Sequence, residues 1–124
     1  MFIICNKPFK IVDFIKDFNQ SPNYCNPRNG TSVILEIKNG YISYRRKNTK
    51  MSISTKLINA IFSYIISNDL IGKKIYTKDI IDIRNKVCPT YTGWHDCDGT
   101  FIMMIFRFVL GASVCDKRPC YVII

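Results

Sequence analysis

With 124 residues, 48% of them hydrophobic, the chain has material for one domain with a proper core, and global disorder is excluded. Its 18 Lys and Arg against 9 Asp and Glu leave a formal charge of +9, a balance that favours polyanionic partners and is silent on fold. The longest apolar run, Phe101 to Phe106, is far short of the roughly 20 residues a membrane helix requires, so no span and no membrane partner are expected.

The apolar start, Met1 to Cys5, runs at once into Lys7, Pro8 and Lys10, which is not the plan of a secretory leader. The expected location is intracellular and cytoplasmic. Ile, Lys and Asn, all encoded by A/T-rich codons, are abundant, which points to an A+T-rich genome such as that of a virus or mobile element. Six cysteines occur without any CxxC, so buried small hydrophobes are the expectation in a reducing compartment.

In chain order, Phe2 to Cys5 reads as a short strand. Residues 8–19 read as a helix, with Pro8 in its first turn and Ile11, Phe14, Ile15 and Phe18 on one stripe. Asn19 to Ser32, rich in Pro, Gly and Asn, reads as a long loop. Val33 to Lys38 and Tyr41 to Arg46 flank Asn39-Gly40, the preferred pair for a two-residue hairpin turn. Straight pairing sets Ile37 opposite Ile42 and Leu35 opposite Tyr44, with Val33 on the same apolar face. Ile34, Glu36, Lys38, Tyr41, Ser43 and Arg45 fall on the wet face.

Ser52 or Ser54 is the expected cap of a second helix carrying Ile53, Leu57, Ile58, Ile61, Phe62, Ile65 and Ile66. Thr77 is the expected cap of a shorter third helix ending near Val87. Residues 88–99 read as irregular. Thr100 to Gly111 fits a helix or a buried strand, and helix is preferred. Val114 to Ile124 reads as strand, turn, strand. The fold class is α+β, a single domain over 1–124: a helix and hairpin in 1–50, then three helices and a hairpin in 52–124.

The charge is concentrated. From Ile37 to Asn68 there is no acid, yet Lys38, Arg45, Arg46, Lys47, Lys50 and Lys56 all lie there. Such a field favours nucleic acid. Tyr41, beside Lys38 and near Arg45, is the candidate for stacking on a base.

The order helix, turn, helix, helix, hairpin over residues 52–124 resembles a winged-helix domain, a helix-turn-helix variant with a β-hairpin wing. The resemblance rests on Leu57-Ile58-Asn59-Ala60-Ile61 for the first helix and Lys73-Lys74-Ile75-Tyr76-Thr77-Lys78-Asp79-Ile80 for entry to the second. Phe101 to Leu110 then takes the recognition position and Cys115 to Ile124 the wing. It implies a DNA-binding regulator, with duplex DNA as partner. The candidate contacts are Lys38, Tyr41, Arg45, Arg46, Lys47, Lys50, Lys73, Lys74, Arg107, Lys117 and Arg118. A recognition helix needs polar side chains for base edges, and here only Thr100 and Arg107 offer them. Segment 101–110 is therefore expected in the core or in a homodimer contact, and phosphate contacts are expected to dominate binding.

Other chemistries fit less well. Cys88, His95, Cys97, Cys115 and Cys120 have only loose zinc-ligand spacing, and buried thiols or a Cys115–Cys120 disulfide are preferred. Glu36-Ile37-Lys38 is similar to the acid-x-Lys element of metal-dependent nucleases, but its second carboxylate would have to come from Asp13 or Asp17 on a helix. No Ser/His/Asp set or phosphate-cradling Gly loop is present. No catalytic residue, metal or cofactor is assigned. The alternatives to nucleic-acid binding are a non-enzymatic module that blocks or sequesters a host factor or small anionic ligand and, behind it, a nuclease.

Overall fold

The computed structural model describes residues 1–21, 32–115 and 117–124. Most of the loop expected over 19–32, with Cys25, lies outside the described residues. Strands β1 (Phe2–Ile4) and β2 (Lys7–Phe9) pair antiparallel through a turn at Cys5 and Asn6. Both turn residues hold positive φ (51° and 61°). Helix α1 spans Ile11–Gln20. It begins later than expected because Pro8 lies in β2, where a two-stranded ribbon leaves an edge for a residue without an N–H.

Strands β3 (Ser32–Lys38), β4 (Tyr41–Arg46) and β5 (Thr49–Ser54) form an antiparallel sheet in that order. Asn39 and Gly40 turn the first hairpin with φ of 54° and 79°, the left-handed geometry for which Asn-Gly is favoured. The expected register holds at Ile37 opposite Ile42 and then slips. Ile34, not Leu35, faces Tyr44, and Glu36 faces Ser43, so Leu35 is the extra residue of a bulge. Ile34 is therefore buried and Leu35 40% exposed, the reverse of the straight-pairing expectation. Asn19 fixes this site: its amide accepts from the Ile34 N–H and donates to the Ile34 carbonyl, both at 2.8 Å, in place of a neighbouring strand.

The β5 strand was not expected. It carries the N-terminal sheet past residue 50, and so shifts the boundary drawn between the two halves of the chain. Helix α2 (Thr55–Ser67) follows, capped by Ser54, whose hydroxyl accepts from the Leu57 N–H at 3.4 Å. Ile53 belongs to β5 and not to the helix stripe, and Ile66 is 43% exposed.

The rest of the chain is β6 (Ile75–Tyr76), α3 (Thr77–Val87), α4 (Asp98–Leu110), β7 (Ser113–Cys115) and β8 (Tyr121–Ile123). Thr77 is the first helical residue of α3 and not its cap. The cap is Tyr76, whose N–H donates to the Asp79 carboxylate at 2.9 Å. Strand β8 lies between β6 and β7. Among the described residues the fold is thus α+β, with four helices and three small antiparallel sheets.

Helix α4 is the centre of the core. Asp98 through Phe106 and Val109 are all buried. The rings covering it come mainly from the N-terminal half: Tyr44 stacks on Phe101 at 3.8 Å, Phe18 packs on Phe101, and Phe14 and Phe18 meet Phe108 edge-on. Phe62 of α2 packs against Phe106. Of the two expectations for segment 101–110, the covering element is in the same chain. Phe101 to Phe106 and Val109 are interior, while Phe108 and Leu110 are only partly buried. Among the described residues, no helix is long and apolar enough to cross a membrane.

Candidate nucleic-acid interface

The three strands of the β3–β5 sheet alternate sides as pleated strands must. Rows Ile37–Ile42–Ile53 and Ile34–Tyr44–Met51 face the core. Rows Lys38–Tyr41–Ser54, Glu36–Ser43–Ser52 and Val33–Arg45–Lys50 lie on the other side. That outer face holds three cations, one carboxylate, three serines and Tyr41, which is 48% exposed. The turn at Lys47 and Asn48 adds an exposed cation at one end, with Lys47 at a φ of 53°.

Irregular residues 88–97 run along the β5 edge. Tyr91 anchors them: its hydroxyl accepts from the Ser54 N–H at 3.4 Å, which occupies a donor that an edge strand otherwise leaves unpaired. Burial pushes the Tyr91 hydroxyl above its ordinary range. Between this segment and the sheet lies a cleft of about 320 Å³ lined by Tyr41, Lys50, Ser52, Tyr91 and His95, among others. A second cleft of about 190 Å³ adjoins it, sharing Met51 and His95 and bringing in Arg46, Lys47 and Cys97. No carboxylate lines either cleft among the described residues.

A buried polar group stands behind these clefts. Asp98, in the first turn of α4, is 0% exposed. Its carboxylate accepts from the Tyr44 hydroxyl and, at 2.9 Å, from the His95 N–H. Burial raises the Asp98 carboxyl above its ordinary range, while the bonds from Tyr44 and His95 oppose that rise. Burial first, and then the charge of Asp98, push the Tyr44 hydroxyl up. The Asp98–His95 bond fixes the turn that presents His95 to both clefts.

The candidate residues divide into several places. Lys38, Tyr41, Arg45 and Lys50 share the outer sheet face, and Lys47 caps its end. Arg46 does not join Arg45. It points to the opposite side, where its Nη1 donates to Cys97 Sγ at 3.0 Å beside the start of α4. Strand alternation dictates that split. Lys73 and Lys74 line a different cleft together with Asp79 and Asp82, and Lys74 Nζ sits 4.9 Å above the Tyr121 ring. Lys117 and Arg118 are exposed at the β7–β8 connection. Arg107 is half-buried on α4. Tyr91 and the placement of His95 beside Lys50 were missed. Nothing in the residue pattern tied 91–95 to a strand that was itself not recognised.

Among the described residues no three His, Cys, Asp or Glu side chains gather as a metal site. Cys88, Cys97 and Cys115 are free thiols, so the Cys115–Cys120 disulfide is not formed. Glu36 is exposed on the outer sheet face, while Asp13 and Asp17 are exposed on α1.

No family model, curated protein or solved structure matches this chain.

Proposed function

We propose that this chain is a nucleic-acid-binding protein that holds its ligand chiefly through phosphate contacts from the outer face of the β3–β5 sheet. One observation carries the reading: Lys38, Arg45, Lys47 and Lys50 gather with exposed Tyr41 next to clefts that no carboxylate lines among the described residues. That is the combination of field and stacking surface a polyanion with aromatic bases requires. We further propose a winged-helix-like arrangement for the second half. The order α2, β6, α3, α4, β7, β8 with β8 in the middle of its sheet supports it, and Lys117 and Arg118 would be the wing tip. In this reading α4 is structural, and a regulatory role would rest on occupancy and not on base reading in a major groove.

The test is a titration of labelled DNA at two salt concentrations, with native mass measured alongside. Affinity should fall with salt, with a log–log slope of about −0.9 per phosphate contact on duplex and about −0.7 on a single strand. Combined Arg45→Glu, Lys47→Glu and Lys50→Glu should weaken binding and flatten the slope by about two to three contacts. Unchanged low-salt affinity in that variant would refute the assignment. Absence of binding to any nucleic acid would return the chain to the alternative, a non-enzymatic module that blocks or sequesters a host factor or a small anionic ligand.

A further inference from the structure

Resting on the nucleic-acid reading, we infer that the ligand is single-stranded, with an unpaired base held between Tyr41 and Tyr91 in the cleft along β5 and its backbone running past Lys50 toward Lys47 and Arg46. A basic sheet face alone does not distinguish strand forms, because both offer phosphates. The cleft does. At about 320 Å³ it lies at the lower end of the range of small-ligand sites, suited to one planar ring and not to a stacked duplex. Two tyrosines line it, one on either side of the β5 edge, and Tyr91 is already fixed by the Ser54 N–H. The ring is therefore ordered before any ligand arrives.

The adjoining cleft continues the track through the shared Met51 and His95 to two further cations. Positive charge thus increases along the direction a strand would follow away from the base, and no acid interrupts it among the described residues. The cleft at Lys73, Lys74 and Lys86 differs, since Asp79 and Asp82 line it too and offset two of its three positive charges. A duplex would have to extrude a base to fill the Tyr41–Tyr91 cleft, at an energetic cost an unpaired strand does not carry. The only helix in the recognition position of the winged-helix order, α4, is interior and cannot enter a groove.

The experiment is fluorescence anisotropy of the full chain with an oligothymidylate of about twelve nucleotides, a length within the usual single-strand site sizes, and with a matched duplex. The single strand should bind at least tenfold tighter. Tyr41→Ala and Tyr91→Leu should each weaken single-strand binding about 5- to 150-fold, the range that stacking on one ring supports, and leave duplex binding unchanged. Tyr91→Phe keeps the ring but gives up the Ser54 bond that orders it, so its affinity should fall between those of the parent and Tyr91→Leu, and circular dichroism of each variant separates stacking from any loss of folding. Equal or tighter duplex binding, or single-strand binding indifferent to both tyrosines, would overturn this inference while leaving the phosphate reading intact. Failure to bind either form would overturn both.

Discussion

Replacing Tyr44 with Phe removes one oxygen from the middle of the molecule and leaves the ring that stacks on Phe101 at 3.8 Å. The lost hydroxyl is the side-chain donor to the fully buried carboxylate of Asp98. A hydrogen bond to a charged group is worth about 1.5–3 kcal/mol, and at a site closed to water no solvent molecule replaces it. For a domain of this length that corresponds to a Tm lowered by roughly 5–15 °C. The pH dependence is the sharper readout. Folding raises the Asp98 carboxyl above its ordinary value of 3.8, so the folded state holds that proton more tightly than the unfolded chain does. The stabilisation is complete below the unfolded value and is lost as pH rises through the folded one. The Tyr44 hydroxyl favours the charged form, so Tyr44→Phe should be costlier at pH 7 than at pH 4. Thermal or urea melts of both proteins at the two pH values measure the difference. A penalty below about 0.5 kcal/mol at pH 7, within the range of an ordinary surface change, would refute the argument. So would an equal penalty at pH 4.

Three further outcomes follow from the packing. Gly40→Ala should cost about 1–2 kcal/mol in a urea melt, because residue 40 holds a φ of 79° in the left-handed region, and the turn is tied to α2 through the Thr55 N–H and hydroxyl at the Gly40 carbonyl. Gly99→Ala should destabilise by about 1–3 kcal/mol despite alanine's better helix propensity, since its Cβ would lie 2.9 Å from Thr77 Cγ2; Thr77→Ser should relieve the clash, and stabilisation by Gly99→Ala alone would contradict the close approach. Burial pushes the Cys5 thiol up to about 12, against the nearby Lys7 that lowers it, so at pH 8 iodoacetamide should label Cys5 about a thousandfold more slowly than a thiol at its usual 9.0. Peptide mapping of the intact and urea-unfolded chain checks this, and prompt labelling of Cys5 in the folded protein would contradict it.

Elements marked by strong local chemistry were legible from the residues. Asn39-Gly40 specified its hairpin, the Phe14 and Phe18 stripe specified α1, and of the two expected caps, Ser52 and Ser54, Ser54 starts α2. The unmarked elements were not. Strand β5 alternates correctly, with Met51 and Ile53 inward, but it follows a turn at Lys47-Asn48 that has neither Gly nor Pro, and Ile53 also fits the helix stripe that begins at Leu57. The bulge at Leu35 has no signature in the chain either. It is set by Asn19, 15 positions away from Ile34, occupying the strand's backbone groups.

That one slip has consequences for function. With straight pairing, Ile34 would face the solvent beside Lys38 and Leu35 would face the core. With the bulge, Ile34 joins Tyr44 and Met51 on the core side, and the outer rows keep their cations, serines and Tyr41, with Val33 as their apolar member. The same alternation divides adjacent arginines, placing Arg45 on the open face and Arg46 against Cys97. A run of positive residues in the chain therefore becomes two surfaces joined around the edge of β5. The clefts lie where those surfaces meet, against residues 91–95. Their existence depends on the unforeseen strand: without β5 there is no edge for Tyr91 to bond, and Tyr41 and Tyr91 would not line one cleft.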